Sequence, residues 1–218
     1  MVRTKLCGLG TDADVRAAVD AGADALGFIT DVGVDTPREV IPERAATLAA
    51  SVPPFVTTVA VTIPESVGGA VDVADRVDPD ALQIHGEFSP DEVREIRERA
   101  GVDVIVALDA DEPDRARDLD GAADALLVDS LSDDGAGGTG ETHDWAATRE
   151  LREALSTPLV LAGGLTPKNV AAAVETVDPF AVDVASGVER ADEPGRKAHD
   201  ALRAFVREAS RTAETGTA

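Results

Sequence analysis

Two residues far apart in the chain carry most of its chemical interest. Asp129 closes a short apolar run, residues 125–128, and a glycine-rich stretch follows at 135–140. A carboxylate at the end of a buried strand, just ahead of a loop, is where parallel α/β sheets place reacting groups. So many glycines weaken order unless backbone must approach something closely. Gly137, Gly138, Thr139 and Gly140 are therefore expected to form a loop over the site rather than a plain solvent turn. Cys7, the only cysteine, ends another run, two residues after Lys5 and one before Gly8. A lone cysteine is more often core than catalytic, but a neighbouring ammonium would favour its thiolate.

Other candidates stand at equivalent places. Gln83 and His85 end one run, Arg38 lies in a loop beside Pro37, and Asp183 sits at a strand end, where it could be structural or orienting. Gly163 with Gly164, and Ser186 with Gly187, put small residues in two late loops where backbone N–H groups can face an anion. His85 could be a ligand donor or a satisfied structural histidine. A Cys7–His85 hydrolase pair has no sequence signature behind it. No two of the three histidines have metal-ligand spacing, so no metal is expected, and surface roles suffice for His143 and His199.

These positions must be held by a repeating framework. Apolar runs at residues 2–7, 25–29, 55–61, 81–84, 102–107, 125–128, 158–161 and 181–184 have strand character without strict alternation, as when both faces are buried. Between them, helices are expected to open at Thr11, Pro64, Ser89, Glu112 and Asp144, and to cover 166–177 and 194–207. Thr11 with Asp14, and Ser89-Pro90-Asp91-Glu92, are cap signals. Strands alternating with helices demand a parallel sheet, and an eightfold count favours a closed α/β (β/α)8 TIM barrel over an open sheet. One domain is expected over residues 1–208, with a frayed tail at 209–218. In such a barrel the loops after strands seven and eight form the usual phosphate site.

Composition narrows the partners. The 218 residues carry 20 basic against 42 acidic side chains, a net charge of −22, with only three lysines. Such a surface repels phosphate backbones and anionic lipid, which argues against nucleic-acid or membrane partners. Its self-repulsion is expected to make folding salt-dependent, and the bias resembles that of proteins from halophile cytoplasm. One cysteine allows no internal disulfide, and no secretory signal is visible, so a soluble cytoplasmic protein is expected.

Taken in order, the motifs resemble one family. Lys5-Leu6-Cys7-Gly8, Gly22 to Phe28, Thr36-Pro37-Arg38, Gln83-Ile84-His85-Gly86 and Leu127-Val128-Asp129-Ser130 are similar to blocks of the phosphoribosylanthranilate isomerases. So are Gly137 to Gly140, Asp144-Trp145, Leu161 to Leu165, Pro167 to Val170 and Val182 to Glu189, and together they span nearly the whole chain. The resemblance implies an Amadori rearrangement of N-(5-phosphoribosyl)anthranilate to 1-(2-carboxyphenylamino)-1-deoxyribulose 5-phosphate, in tryptophan biosynthesis. It implies Asp129 as general acid with a raised pKa and Cys7 as thiolate base with a lowered one. Arg38 would hold the anthranilate carboxylate and Asp183 would orient hydroxyls. An iminium intermediate is its own electron sink, so no cofactor is implied. The protein would be a monomer or homodimer.

The chain departs from the family pattern at Val59 to Pro64, at Val106 to Asp109, and at Asp133, Asp134 and His143. A related sugar-isomerising barrel of histidine biosynthesis uses two aspartates and two phosphate sites. Cys7 and the absence of a matching glycine pair in the first half disfavour it. A non-catalytic phosphosugar-binding barrel would need the late loops but not both Cys7 and Asp129.

Overall fold

Each apolar run is flanked by turn or cap residues, and that punctuation fixes the element order. The structure is a computed structural model and describes residues 2–129 and 144–211. The first half of the chain runs β1 (Arg3–Cys7), α1 (Asp12–Asp20), β2 (Ala25–Ile29), α2 (Pro42–Ala49), β3 (Thr57–Thr62), α3 (Val67–Val77), β4 (Ala81–Ile84) and α4 (Pro90–Ala100). The second half continues β5 (Asp103–Asp109), α5 (Pro113–Asp118), β6 (Ala125–Asp129), α6 (Trp145–Ala154), β7 (Leu159–Leu161), α7 (Val170–Val177) and β8 (Ala181–Val184). A 3₁₀ turn at Ser186–Val188 then leads into β9 (Glu189–Arg190), β10 (Glu193–Lys197) and α8 (His199–Ser210). The first eight strands are parallel to their neighbours and close into a barrel, β8 pairing back to β1. Thr11 caps α1 through its hydroxyl, and Ser89 with Glu92 forms a full capping box on α4, as their spacing suggests.

Closure explains why the strands lack polar alternation. Ala107, Ala125, Leu127, Val160, Ala162 and Ala181 pack inside the barrel, as do Cys7, Val59, Val61 and Ala81. The alternate residues, such as Leu6, Leu26, Phe28, Leu82, Val106, Leu126 and Leu161, face the helices in the larger outer core. Both faces are buried, so both are apolar. The inner layer is rich in alanine, which leaves room for Lys5, Gln83, His85 and Asp183 to lie inside the barrel, all nearly inaccessible.

The end opposite the mouth is tied by a repeated device. Asp24, Asp80 and Asp124 precede β2, β4 and β6, and their carboxylates accept the backbone N–H of Thr4, Thr58 and Val104 at 2.7, 2.8 and 2.9 Å. Asp80 also accepts the Thr58 hydroxyl at 2.7 Å. Asp80→Ala is expected to lower Tm by roughly 2–4 °C, since one kcal/mol shifts a domain of this size by about that much. Its kcat/KM should stay unchanged, because this end is remote from the mouth. Thermal unfolding in molar KCl and an activity assay check both halves of that statement.

The structure completes or corrects the sequence reading in four places. A helix, α2, fills the place between β2 and β3 that the eightfold alternation demands but for which the sequence offered no side-chain cap signal. Residues 194–197, expected to begin the last helix, instead belong to the β9–β10 hairpin, and α8 starts at His199. That helix continues past 208 to Ser210, with Ala209 fully buried. His199 is not merely a surface residue, because its Nε2 lies 3.0 Å from the carboxylate of buried Asp14 and links α8 to α1. No helix among the described residues is long and apolar enough to cross a membrane.

Candidate active site

The C-terminal ends of the strands open into one pocket. It is lined by Cys7, Arg38, Gln83, His85, Asp129, Gly163, Gly164, Asp183, Ser186 and Gly187, so the fold brings together every expected site residue that it describes. Gly137, Gly138, Thr139, Gly140 and His143 lie outside the described residues. Cys7 comes from β1 and Asp129 from β6. They approach the pocket from different sides, with apolar Val61 and Ile63 among the walls between.

Cys7 sits where it does because its partner strand carries Gly27. The two residues are in register, and a Cβ at Gly27 would come within 2.7 Å of the Cys7 sulfur. A glycine inside a strand is the sequence signal of such a close approach. Burial pushes the Cys7 thiol above its ordinary value, and the Lys5 and Lys197 ammonium groups offset this only in part. That corrects the expectation of a lowered pKa. The expectation rested on the attraction of Lys5 alone, whereas desolvation inside the closed barrel is the larger effect.

Lys5 is held by Asp183, Nζ to Oδ1 at 2.9 Å, with both side chains almost wholly buried. Burial pulls the Lys5 ammonium down, but Asp183 and Cys7 together outweigh it, and the pKa is raised. Asp183 is thus held by Lys5 through Oδ1 while it lines the pocket. Gln83 Nε2 lies 3.1 Å from His85 Nε2, so these two side chains orient each other in the barrel interior.

Arg38 is also engaged. Its Nε and Nη2 donate to the two oxygens of Glu189 at 2.7 and 3.1 Å. Glu189 further accepts from Lys197 Nζ at 3.0 Å and from the Gly195 N–H at 3.0 Å. Burial works to raise the Glu189 carboxyl, but the Arg38 hydrogen bonds, the Lys197 charge and the Gly195 N–H hold it down to about 2. Lys197 is lowered by burial, against the pull of Glu189. Sequence reasoning assigned no role to Lys197 or Glu189. A usable signal was present: lysine is rare in this chain, and Lys5 and Lys197, two of only three, are buried beside the mouth.

The two late loops interlock. A Cβ on Gly187 would stand 1.9 Å from the backbone oxygen of Leu165, so the turn after β8 lies flat on the loop after β7. Backbone on both sides leaves nothing to rotate away. Gly187→Ala is expected to cost about 1–3 kcal/mol through overpacking. It should also raise KM for a phosphorylated ligand, readable by thermal unfolding together with a substrate titration.

A (β/α)8 barrel with a thiol and a carboxylate facing one pocket, and with paired backbone loops lining it, belongs to the class of acid–base enzymes acting on anionic small molecules. The family model for N-(5'-phosphoribosyl)anthranilate (PRA) isomerase matches residues 4–208. The N-(5'-phosphoribosyl)anthranilate isomerase of Halorubrum lacusprofundi is 56% identical over 98% of this chain and 99% of its own length. That of Haloferax volcanii is 55% identical over 94% and 92%. Among solved structures, phosphoribosylanthranilate isomerase in complex with reduced 1-(o-carboxyphenylamino)-1-deoxyribulose 5-phosphate is 34% identical, with a TM-score of 0.79 over 97% of this chain and 100% of that one. Monomers derived from the dimeric enzyme of Thermotoga maritima give a TM-score of 0.83 at 34% identity, with the same coverage. The chain belongs to the N-(5'-phosphoribosyl)anthranilate isomerase family, and its kinship with haloarchaeal members accords with its acidic composition.

Proposed function

We propose that Cys7 and Asp129 carry out the isomerisation of N-(5'-phosphoribosyl)anthranilate across the barrel mouth. The activity is that of the family: an aminoaldose becomes the aminoketose 1-(2-carboxyphenylamino)-1-deoxyribulose 5-phosphate by an Amadori rearrangement, a step in tryptophan biosynthesis. The observation that supports these roles is the presence of both groups in one pocket, on separate strands β1 and β6, beside the interlocked Gly163–Gly164 and Ser186–Gly187 loops.

The carboxyl of Asp129 gives its proton to the furanose oxygen. The C1–O bond breaks, and the nitrogen lone pair closes a C1=N iminium. The Cys7 thiolate then takes the proton from C2, and that electron pair forms C1=C2 while the C=N pair returns to nitrogen. Ketonisation moves one proton from the C2 hydroxyl to C1, so no net proton, electron or cofactor is consumed. The cationic iminium stabilises a nearby thiolate, which offsets the burial that keeps free Cys7 protonated. The phosphate binds to backbone N–H groups of the two late loops, and Arg38 receives the anthranilate carboxylate.

The protein is proposed to act as a monomer or homodimer in the cytoplasm, with a small-molecule substrate and no nucleic-acid or membrane partner, in keeping with its charge of −22. A single barrel domain over residues 1–208 is part of the proposal, with the last helix running on to Ser210. The direct test is the decay of anthranilate fluorescence on freshly generated substrate in molar KCl. Decay faster than spontaneous hydrolysis is the expected result. No acceleration by folded protein would replace this reading with that of a phosphosugar-binding barrel.

A further inference from the structure

We infer that Glu189 is a positioning residue that gives the enzyme its selectivity for a carboxylated aglycone, by aiming Arg38 from the β9–β10 hairpin. The inference rests on the reading of Arg38 as the partner of the substrate carboxylate. A guanidinium has five N–H donors on a rigid plane. Glu189 occupies the Nε donor and one Nη2 donor, with distances of 2.7 and 3.1 Å. Among the described residues the structure gives Nη1 no hydrogen-bond partner. The edge formed by Nη1 and the second Nη2 hydrogen is thus left for another bidentate acceptor, and Arg38 lines the pocket.

The hairpin itself is built to hold this arrangement. Gly195, at φ +83°, packs so closely that a Cβ would lie 2.5 Å from the Pro37 backbone oxygen, next to Arg38, and its N–H fixes the second oxygen of Glu189. Lys197 bonds Glu189 and also donates to the Ala185 oxygen at 2.9 Å, immediately before the Ser186–Gly187 turn. Glu189, with a side chain only 7% exposed, therefore connects the carboxylate end of the pocket to its phosphate end. Arg38, Glu189 and Lys197 sum to one positive charge, which suits an anionic ligand. The carboxyl of Glu189, held to about 2, stays ionised across the working pH range.

The test compares two substrates, N-(5'-phosphoribosyl)anthranilate and N-(5'-phosphoribosyl)aniline, which lacks the ring carboxylate. Glu189→Gln should raise KM for the first by about tenfold or more, the scale of a misdirected charge-assisted hydrogen bond, with kcat changed by less than about threefold. On the aniline substrate the same variant should behave within about twofold of wild type, and Glu189→Asp should recover part of the lost affinity. An equal loss on both substrates would mean that Glu189 only supports the fold, and the inference would be overturned, as it would by no loss on either. If Glu189→Gln fails to fold, Glu189→Asp carries the same substrate comparison. Arg38→Ala is the control: losing equally on both substrates, it would refute the carboxylate reading itself and show that failure to be separate from any defect at Glu189.

Discussion

Cys7→Ala is expected to lower kcat by roughly 10²–10⁴-fold, the usual contribution of a positioned general base. Tm should move by only about 2–4 °C, because a single buried sulfur is removed from a closed barrel. The pH dependence gives the sharper test. Burial holds the free enzyme's thiol above its ordinary value, against the lowering by Lys5 and Lys197. The thiolate is the working form, so its fraction grows as pH rises towards that elevated pKa. The working form pairs a protonated Asp129 with a Cys7 thiolate, so the two ionisations oppose each other in the wild type. In Asp129→Asn, where Cys7 alone titrates, residual kcat/KM should climb between about pH 6 and 9, by close to tenfold per unit. A flat profile over that range, or a Cys7→Ala variant that keeps most of its turnover, would reduce Cys7 to a packing residue beside Gly27.

Asp129→Asn should lower kcat by a similar factor, about 10²–10⁴-fold, through loss of the proton donor for ring opening. The amide matches the carboxyl in shape, so KM and binding of a reduced product analogue should change little. The rising limb assigned to Cys7 is read in the residual activity of this variant, where the opposing ionisation is absent. Steady-state kinetics with calorimetric titration of the analogue separates the two contributions. Tight binding without turnover would place Asp129 in the chemical step. Loss of binding and turnover together would make it a ligand anchor and return the acid's role to another group.

The haloarchaeal relatives and the acidic composition bear on how such assays are run. With a net charge of −22 on 218 residues, low-salt buffers are expected to confound a catalytic defect with partial unfolding. Variants are best compared in molar KCl, each with its own unfolding curve.

The sequence by itself determined the barrel and the composition of its mouth. Eight apolar runs, cap residues such as Thr11 and Ser89, and glycines at loop positions are local signals, and the forces behind them act within a few residues. Ordered motifs then placed Cys7, Gln83, His85, Asp129, Gly163 and Gly187 at strand ends, and the fold brings them into one pocket. What tertiary structure decided was which charges meet. Lys5 and Asp183 are 178 positions apart, Arg38 and Glu189 151, and His199 and Asp14 185. No local pattern encodes such pairings, because barrel closure makes them.

The last hairpin shows the same limit. Pro194 resembles a helix start, yet Gly195 adopts φ +83° against Pro37, a contact that exists only once the loop after β2 has come alongside. The protonation of Cys7 follows this rule too. Sequence supplied the neighbouring Lys5 and hence the sign of one interaction. Desolvation, the larger one, arises only when eight strands seal the thiol away from water.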